Sequence, residues 1–237
     1  MNIQCFDLLF FYGNSPISTT IKLAQKAIKN ELLNNDNIPS HVAVIISKKY
    51  LPTLKNVDNE DDYYLWESNV TIKNKIDKMA DIVDIESGEG VAGVQIRPYK
   101  DVILESLSNG YAVGWCRLIN NPINKLKYET DEGYNERMIL LKKKICKFHE
   151  LHYHQSYEIS IFDCISTLIP CLHNCCSYSI TNNKVICSEF AVLLYQTLGL
   201  LPIEITASDI TPYILLNINH YGKYLDDPIL DKPIMFK

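Results

Sequence analysis

A chain of 237 residues, 47% of them hydrophobic, is long enough to bury a sizeable core and reads most simply as one domain. Its formal net charge of −5 and isoelectric point near 5.7 come with scattered lysines and no basic stripe, which argues against a nucleic-acid partner. No apolar stretch has the length a bilayer-crossing helix needs, so the expectation is a soluble chain with at most peripheral membrane contact.

The first twelve residues carry an apolar run with Asp7 inside it, no basic leader and no small-residue cleavage site, so a strand is expected there and not a signal peptide. Gly13-Asn14-Ser15-Pro16 is a turn. From Ser18, the residues Ile21, Leu23, Ala24, Ala27, Ile28 and Leu32 recur among Lys22, Lys26 and Lys29 as in an amphipathic helix, closed by the polar run Asn34-Asn35-Asp36-Asn37. After Pro39, Ser40 to Ser47 is apolar and β-branched, a buried strand with one imidazole, His41, at its entrance. An acidic loop from Lys55 to Asp62 leads to a second strand, Tyr63 to Ser68, which carries Glu67 directly after Trp66.

Residues 70–92 are longer than a hairpin requires and are expected as a surface excursion near a cleft mouth; their glycines lack phosphate-loop spacing. Val94-Gln95-Ile96-Arg97 alternates and stops at Pro98. A short helix from Asp101 to Ser108 and a strand from Tyr111 to Leu118 come next. A long helix from about Gly133 to Leu151 sets Met138, Leu141, Ile145 and Phe148 on one face, with Lys142-Lys143-Lys144 solvated.

The chemistry gathers near the end. After Lys184-Val185-Ile186-Cys187-Ser188-Glu189-Phe190, the residues Ala191, Leu194, Tyr195 and Leu198 recur at helical spacing, and Gly199 with Pro202 is a helix stop. Cys187 is therefore expected at a helix N-terminus, where unpaired N–H groups and the dipole favour thiolate over thiol. Alone, an apolar-flanked cysteine is usually a core residue, and a lone histidine on an apolar strand is more often a structural one than a base. Together, Cys187, His41 and Glu67 are the parts of a Cys-His-acid hydrolase: nucleophile, proton carrier and the acid that orients the ring.

Other clusters compete weakly. His149, His152 and His154 lie at helical spacing without a metalloprotease motif, and Cys171-x-His173-x-Cys175-Cys176 lacks the paired C-x2-C of a zinc module. No metal and no cofactor are assigned. The eight cysteines, without a secretory signal, are expected as free thiols in a reducing compartment. Trp66 and Tyr12 read either as lining of an apolar cleft or as core.

Five blocks in order carry a resemblance: Asp7 to Gly13, Ser40 to Val44, Leu65 to Ser68, Gly93 to Tyr99, and Cys187 to Phe190. They look like the opening, histidine, acid and succeeding strands and the nucleophile helix of the circularly permuted members of the NlpC-type papain-like superfamily. That group includes YiiX-like proteins, small poxviral proteins and, more distantly, lecithin retinol acyltransferase. With Leu201 to Ile203 and Thr206 to Pro212 similar to the closing segment, the resemblance spans about residues 5 to 212. The catalytic order His41, Glu67, Cys187 is the reverse of papain's.

The resemblance implies an α+β, permuted papain-like fold over residues 1–237: an antiparallel sheet bearing His41 and Glu67, packed against the helix that begins at Cys187. An enlarged insertion at about 155–182 and an irregular surface arm over 213–237 depart from the pattern. It implies a thioester mechanism on a peptide, amide or lipid-like acyl ester, with the Cys187 backbone N–H holding part of the oxyanion. The rival expectation is a catalytically silent structural or binding protein that keeps the fold. Either way an intracellular or virion-associated protein is expected, and the oligomeric state is left open.

Overall fold

Leu8–Tyr12 (β1) is buried at every position, a continuous apolar run of the kind found where both faces of a strand are covered. The computed structural model describes residues 2–29, 38–70, 82–153, 155–156, 185–220 and 228–236. Leu32, Asn34 to Asn37, the middle of the 70–92 excursion, His154 and most of the 155–182 insertion with its cysteine cluster lie outside the described residues.

Around β1 stand His41–Ser47 (β2), Tyr63–Val70 (β3), Ala92–Pro98 (β4), Ala112–Cys116 (β5) and Ile234–Met235 (β6). They form one open antiparallel sheet in the order β4-β3-β2-β1-β5-β6. The α-helices among the described residues are Pro16–Lys29 (α1), Tyr99–Ser108 (α2), Asp131–His152 (α3), Cys187–Thr197 (α4) and Pro212–Leu216 (α5). The fold is thus α+β.

Strand alternation divides the sheet's apolar residues between two cores. Leu8, Phe10, Val42, Val44, Ile46, Trp66, Val94 and Ile96 pack in one core with α3 and α4. Leu9, Phe11, Ala43, Ile45, Leu65, Val113 and Trp115 pack in another with Val102 and Ile103 of α2. Helices on both faces are why β1 and β2 read as unbroken apolar runs. Asp7, which interrupts the first run, is a bracket: its carboxylate accepts from the Gln4 N–H at 2.9 Å, Trp115 Nε1 at 2.9 Å and the Leu118 N–H at 3.0 Å. Burial pushes its pKa up, and these donors oppose that shift.

The structure shifts several sequence expectations. Helix α1 begins at Pro16, not after Ser18, because Ser15 caps it: its Oγ accepts from the Ser18 N–H at 3.1 Å, and proline suits the first helical position. Its inward side carries Lys22 and Gln25, while Leu23 of the expected apolar pattern is 54% exposed. Gln25 bridges two segments, donating to Pro39 O at 2.9 Å and accepting from the Tyr213 N–H at 2.9 Å. Helix α2 starts at Tyr99, and α3 runs two residues further at its start because Thr130 caps it, accepting from the Gly133 N–H at 3.1 Å. Its expected face, Met138, Leu141, Ile145 and Phe148, is buried.

Where it is described, the C-terminal stretch is more ordered than the irregular arm expected. Residues 212–216 are helical, Ile229 and Leu230 are buried, and Ile234–Met235 add a strand beside β5, because β5 would otherwise be an unpaired edge. Among the described residues no helix is long and apolar enough to cross a membrane.

Candidate active site

His41 is the first residue of β2, and Glu67 and Arg97 sit on β3 and β4, the two neighbouring strands on one side. Continuing the β2–β3 register from Val44 opposite Trp66 sets His41 and Glu67 on the same face of the sheet, and Leu65 opposite Arg97 adds the guanidinium to it.

Cys187 arrives on α4, whose start is fastened to the sheet. Ser68 Oγ donates to Val185 O at 2.6 Å, the Val185 N–H donates to Ser156 O at 3.0 Å, and Gly93 of β4 bridges Ser156. The Glu189 side chain accepts from the Ile186 N–H at 3.3 Å, as a carboxylate in a first helical turn does. Further along, Phe190 meets Trp66 and Phe148, with centroids 5.3 and 5.4 Å away, and Tyr195 Oη donates to Phe6 O at 2.6 Å.

The three side chains singled out in the sequence are brought together. His41 Nε2 hydrogen-bonds and ion-pairs with Glu67 Oε2. Cys187 also acts on the ring, by charge and by a side-chain hydrogen bond. Burial of the imidazole works against its charged form, yet its charge and hydrogen-bond interactions with Cys187 and Glu67 outweigh that effect and raise the His41 pKa to about 10. Glu67 has the opposite balance. Burial acts to raise its pKa, but the Arg97 and His41 cations hold it down to about 2. The side chain of Glu67 is fully buried, whereas that of His41 keeps 17% of its surface and Cys187 keeps 4%, so the ring is the most solvent-exposed of the three.

Sequence reading missed Arg97. Its Nε donates to Glu67 Oε1 at 2.7 Å and its Nη2 lies 2.5 Å from the same oxygen, with the side chain 1% exposed. The alternation of Gln95 and Arg97 with Val94 and Ile96 was the available signal: both faces of this strand are buried, so its polar residues face partners and not water.

The other groups fall elsewhere. Trp66 is fully buried against Phe148, His149 and Phe190, and Tyr12 is 9% exposed in the same core, so both are packing residues. His149 Nε2 pairs with Glu86 Oε2 at 3.1 Å and His152 Nδ1 with Gln155 Oε1 at 2.6 Å, so these two rings serve separate local contacts. Among the described residues no group of His, Cys, Asp and Glu could hold a metal ion. Cys5 and Cys116 are buried, and desolvation pushes each thiol up to about 12.

No family model and no curated protein matches this chain. Function therefore rests on the chemistry of the site itself.

Proposed function

We propose that this protein is a cysteine hydrolase or acyltransferase with a permuted papain-like fold. The single observation that carries the reading is His41 held by Glu67 on Nε2 and by Cys187, the first residue of α4. The Cys187 proton passes to His41, and the thiolate attacks the acyl carbonyl carbon. The resulting oxyanion takes a hydrogen bond from the Cys187 backbone N–H, which as a first-turn donor has no intrahelical partner. His41 returns the proton to the departing amine or alkoxide as the carbon–heteroatom bond breaks, leaving a thioester. Water or a second acceptor, deprotonated by His41, then releases the acyl group and restores the thiol. Peptides, amides and lipid-like acyl esters all fit this sequence.

One observation favours a silent protein that keeps the fold: Cys187 is 4% exposed and Glu67 fully buried. Iodoacetamide at pH 7, read by peptide mass, separates the two. A working site modifies Cys187 faster than Cys5 or Cys116 by on the order of a hundredfold or more, since thiolate fraction sets the rate, and His41→Ala abolishes the advantage. Cys187 labelling no faster than those two buried thiols would sink the hydrolase reading.

A further inference from the structure

Among the described residues, the buried Arg97 cation has one partner, the Glu67 carboxylate. Its Nε donates to Glu67 Oε1 at 2.7 Å and its Nη2 lies 2.5 Å from the same oxygen as an ion pair, while neither Nη1 nor Nη2 has a hydrogen-bond partner among the described residues. As a structural fastening this is a poor device. Taking a guanidinium and a carboxylate out of water costs more than their attraction returns unless every donor is satisfied. The carboxylate's other oxygen is on His41, and His41 is on Cys187, so four ionisable groups from β2, β3, β4 and α4 form one chain. The charges that act on Glu67 are Arg97 and His41, and those on His41 are Cys187 and Glu67. On α2, which covers the same face of the sheet, Lys100 and Asp101 are exposed to solvent.

Counting formal charges gives the device its purpose. With thiolate, imidazolium, carboxylate and guanidinium all ionised, the buried chain sums to zero. Without the guanidinium it sums to −1, and a buried cluster with net negative charge is driven to take up a proton. We infer that Arg97 is a positioning residue of the thiol site, which keeps Glu67 ionised and lets Cys187 stand as a thiolate beside the His41 imidazolium. This rests on the hydrolase reading and adds a member to it. Arg97 touches no reacting atom and acts through Glu67 and His41.

The charge count makes predictions that a loss of packing does not. Arg97→Met leaves −1, so the acid limb of Cys187 alkylation by iodoacetamide moves to higher pH, by about one unit or more, and the rate on that limb drops about tenfold per unit. Glu67→Gln leaves +1, and the acid limb moves the other way. Arg97→Met combined with Glu67→Gln returns the sum to zero, and its limb lies closer to that of the wild type than the limb of Arg97→Met does. Arg97→Lys keeps the charge and holds the limb within about half a unit of wild type.

The experiment is alkylation of the full chain across pH 4 to 9, read at Cys187 by peptide mass, with circular dichroism to select folded variants. Opposite shifts in the two single variants with recovery in the double variant are the expected result. Where Arg97→Met does not fold, the Glu67→Gln, Arg97→Lys and double variants decide. An unmoved limb in Arg97→Met, shifts of the same sign in both single variants, or a displaced limb in Arg97→Lys overturns the inference while leaving a reactive Cys187 in place. A wild type whose Cys187 reacts no faster than Cys5 and Cys116 overturns the inference together with the hydrolase reading.

Discussion

Glu67 and His41 titrate in opposite directions from their ordinary values, and the sign of each sets a different pH window. The Glu67 pKa is lowered from 4.5 to about 2, because Arg97 and His41 overcome the effect of burial. The stability it contributes is present in full above about pH 4.5 and is lost as pH falls through about 2. The His41 pKa is raised from 6.5 to about 10, burial being outweighed by Cys187 and Glu67. Its contribution is present in full below about pH 6.5 and is lost as pH rises through about 10. The imidazole proton resonances of His41, followed by NMR, are therefore expected to titrate far above the ordinary range, and Cys187→Ala and Glu67→Gln are each expected to lower the midpoint. An ordinary midpoint in wild type would mean that the ring carries no ion pair. Both residues were legible in the sequence because His41 is the one imidazole and Glu67 the one carboxylate in a largely apolar strand. Arg97 was not, because an alternating strand with Gln95 and Arg97 reads equally as one with a solvated face.

At the scale of elements, the start of α4 is placed by a short brace of backbone: Val94 N–H donates to Gln155 O at 2.9 Å, Gly93 bridges Ser156, and the Val185 N–H donates to Ser156 O. Gly93 is what lets this brace approach. A Cβ there would lie 2.4 Å from the backbone oxygen of Gln155, and backbone cannot rotate aside as a flexible side chain does. Gly93→Ala is expected to destabilise the protein by about 1–3 kcal/mol, the usual cost of overpacking, and also to slow Cys187 alkylation, because the brace positions the helix carrying the thiol. Denaturant unfolding measures the first effect and alkylation the second. A variant with wild-type stability and rate would show that the brace does not hold α4. Helix α1 teaches the complementary lesson. Its apolar spacing predicted the helix, but its inward side is set by Gln25 gripping Pro39 and Tyr213, contacts 14 and 188 residues apart in the chain that no local pattern encodes.

Across the whole molecule, the sheet's two edges are treated differently. On the β5 side the chain returns from residue 228: the Ile119 N–H donates to Ile229 O, the Asp231 N–H donates to Arg117 O, and Ile234–Met235 pair with Gly114 and Trp115. Burial is uneven along this return, with Ile229 and Leu230 at 7% and 2% exposure and Ile234 and Met235 at 47% and 41%. Truncation of residues 232–237 is thus expected to cost about 1–2 kcal/mol, mainly lost edge pairing and partial apolar burial. Truncation of 228–237 adds the loss of two buried aliphatic side chains, about 3–6 kcal/mol more, a large part of an ordinary domain's stability. Thermal unfolding of the two truncations checks the ranking. Equal losses would show that the exposed strand, and not the buried pair, holds the return in place.

The order of the first five strands along the chain, the amphipathic face of α3 and the candidacy of His41, Glu67 and Cys187 were all determined by the sequence alone. They arise from local regularities: apolar period, turn residues, and polar atoms in apolar runs. Tertiary structure alone decided that both faces of the sheet are covered, that the C-terminal return supplies a sixth strand, that Trp66 packs in the core and that Arg97 joins the acid. Those outcomes depend on which groups meet across long stretches of chain, and burial then sets whether a charge is solvated, paired or kept.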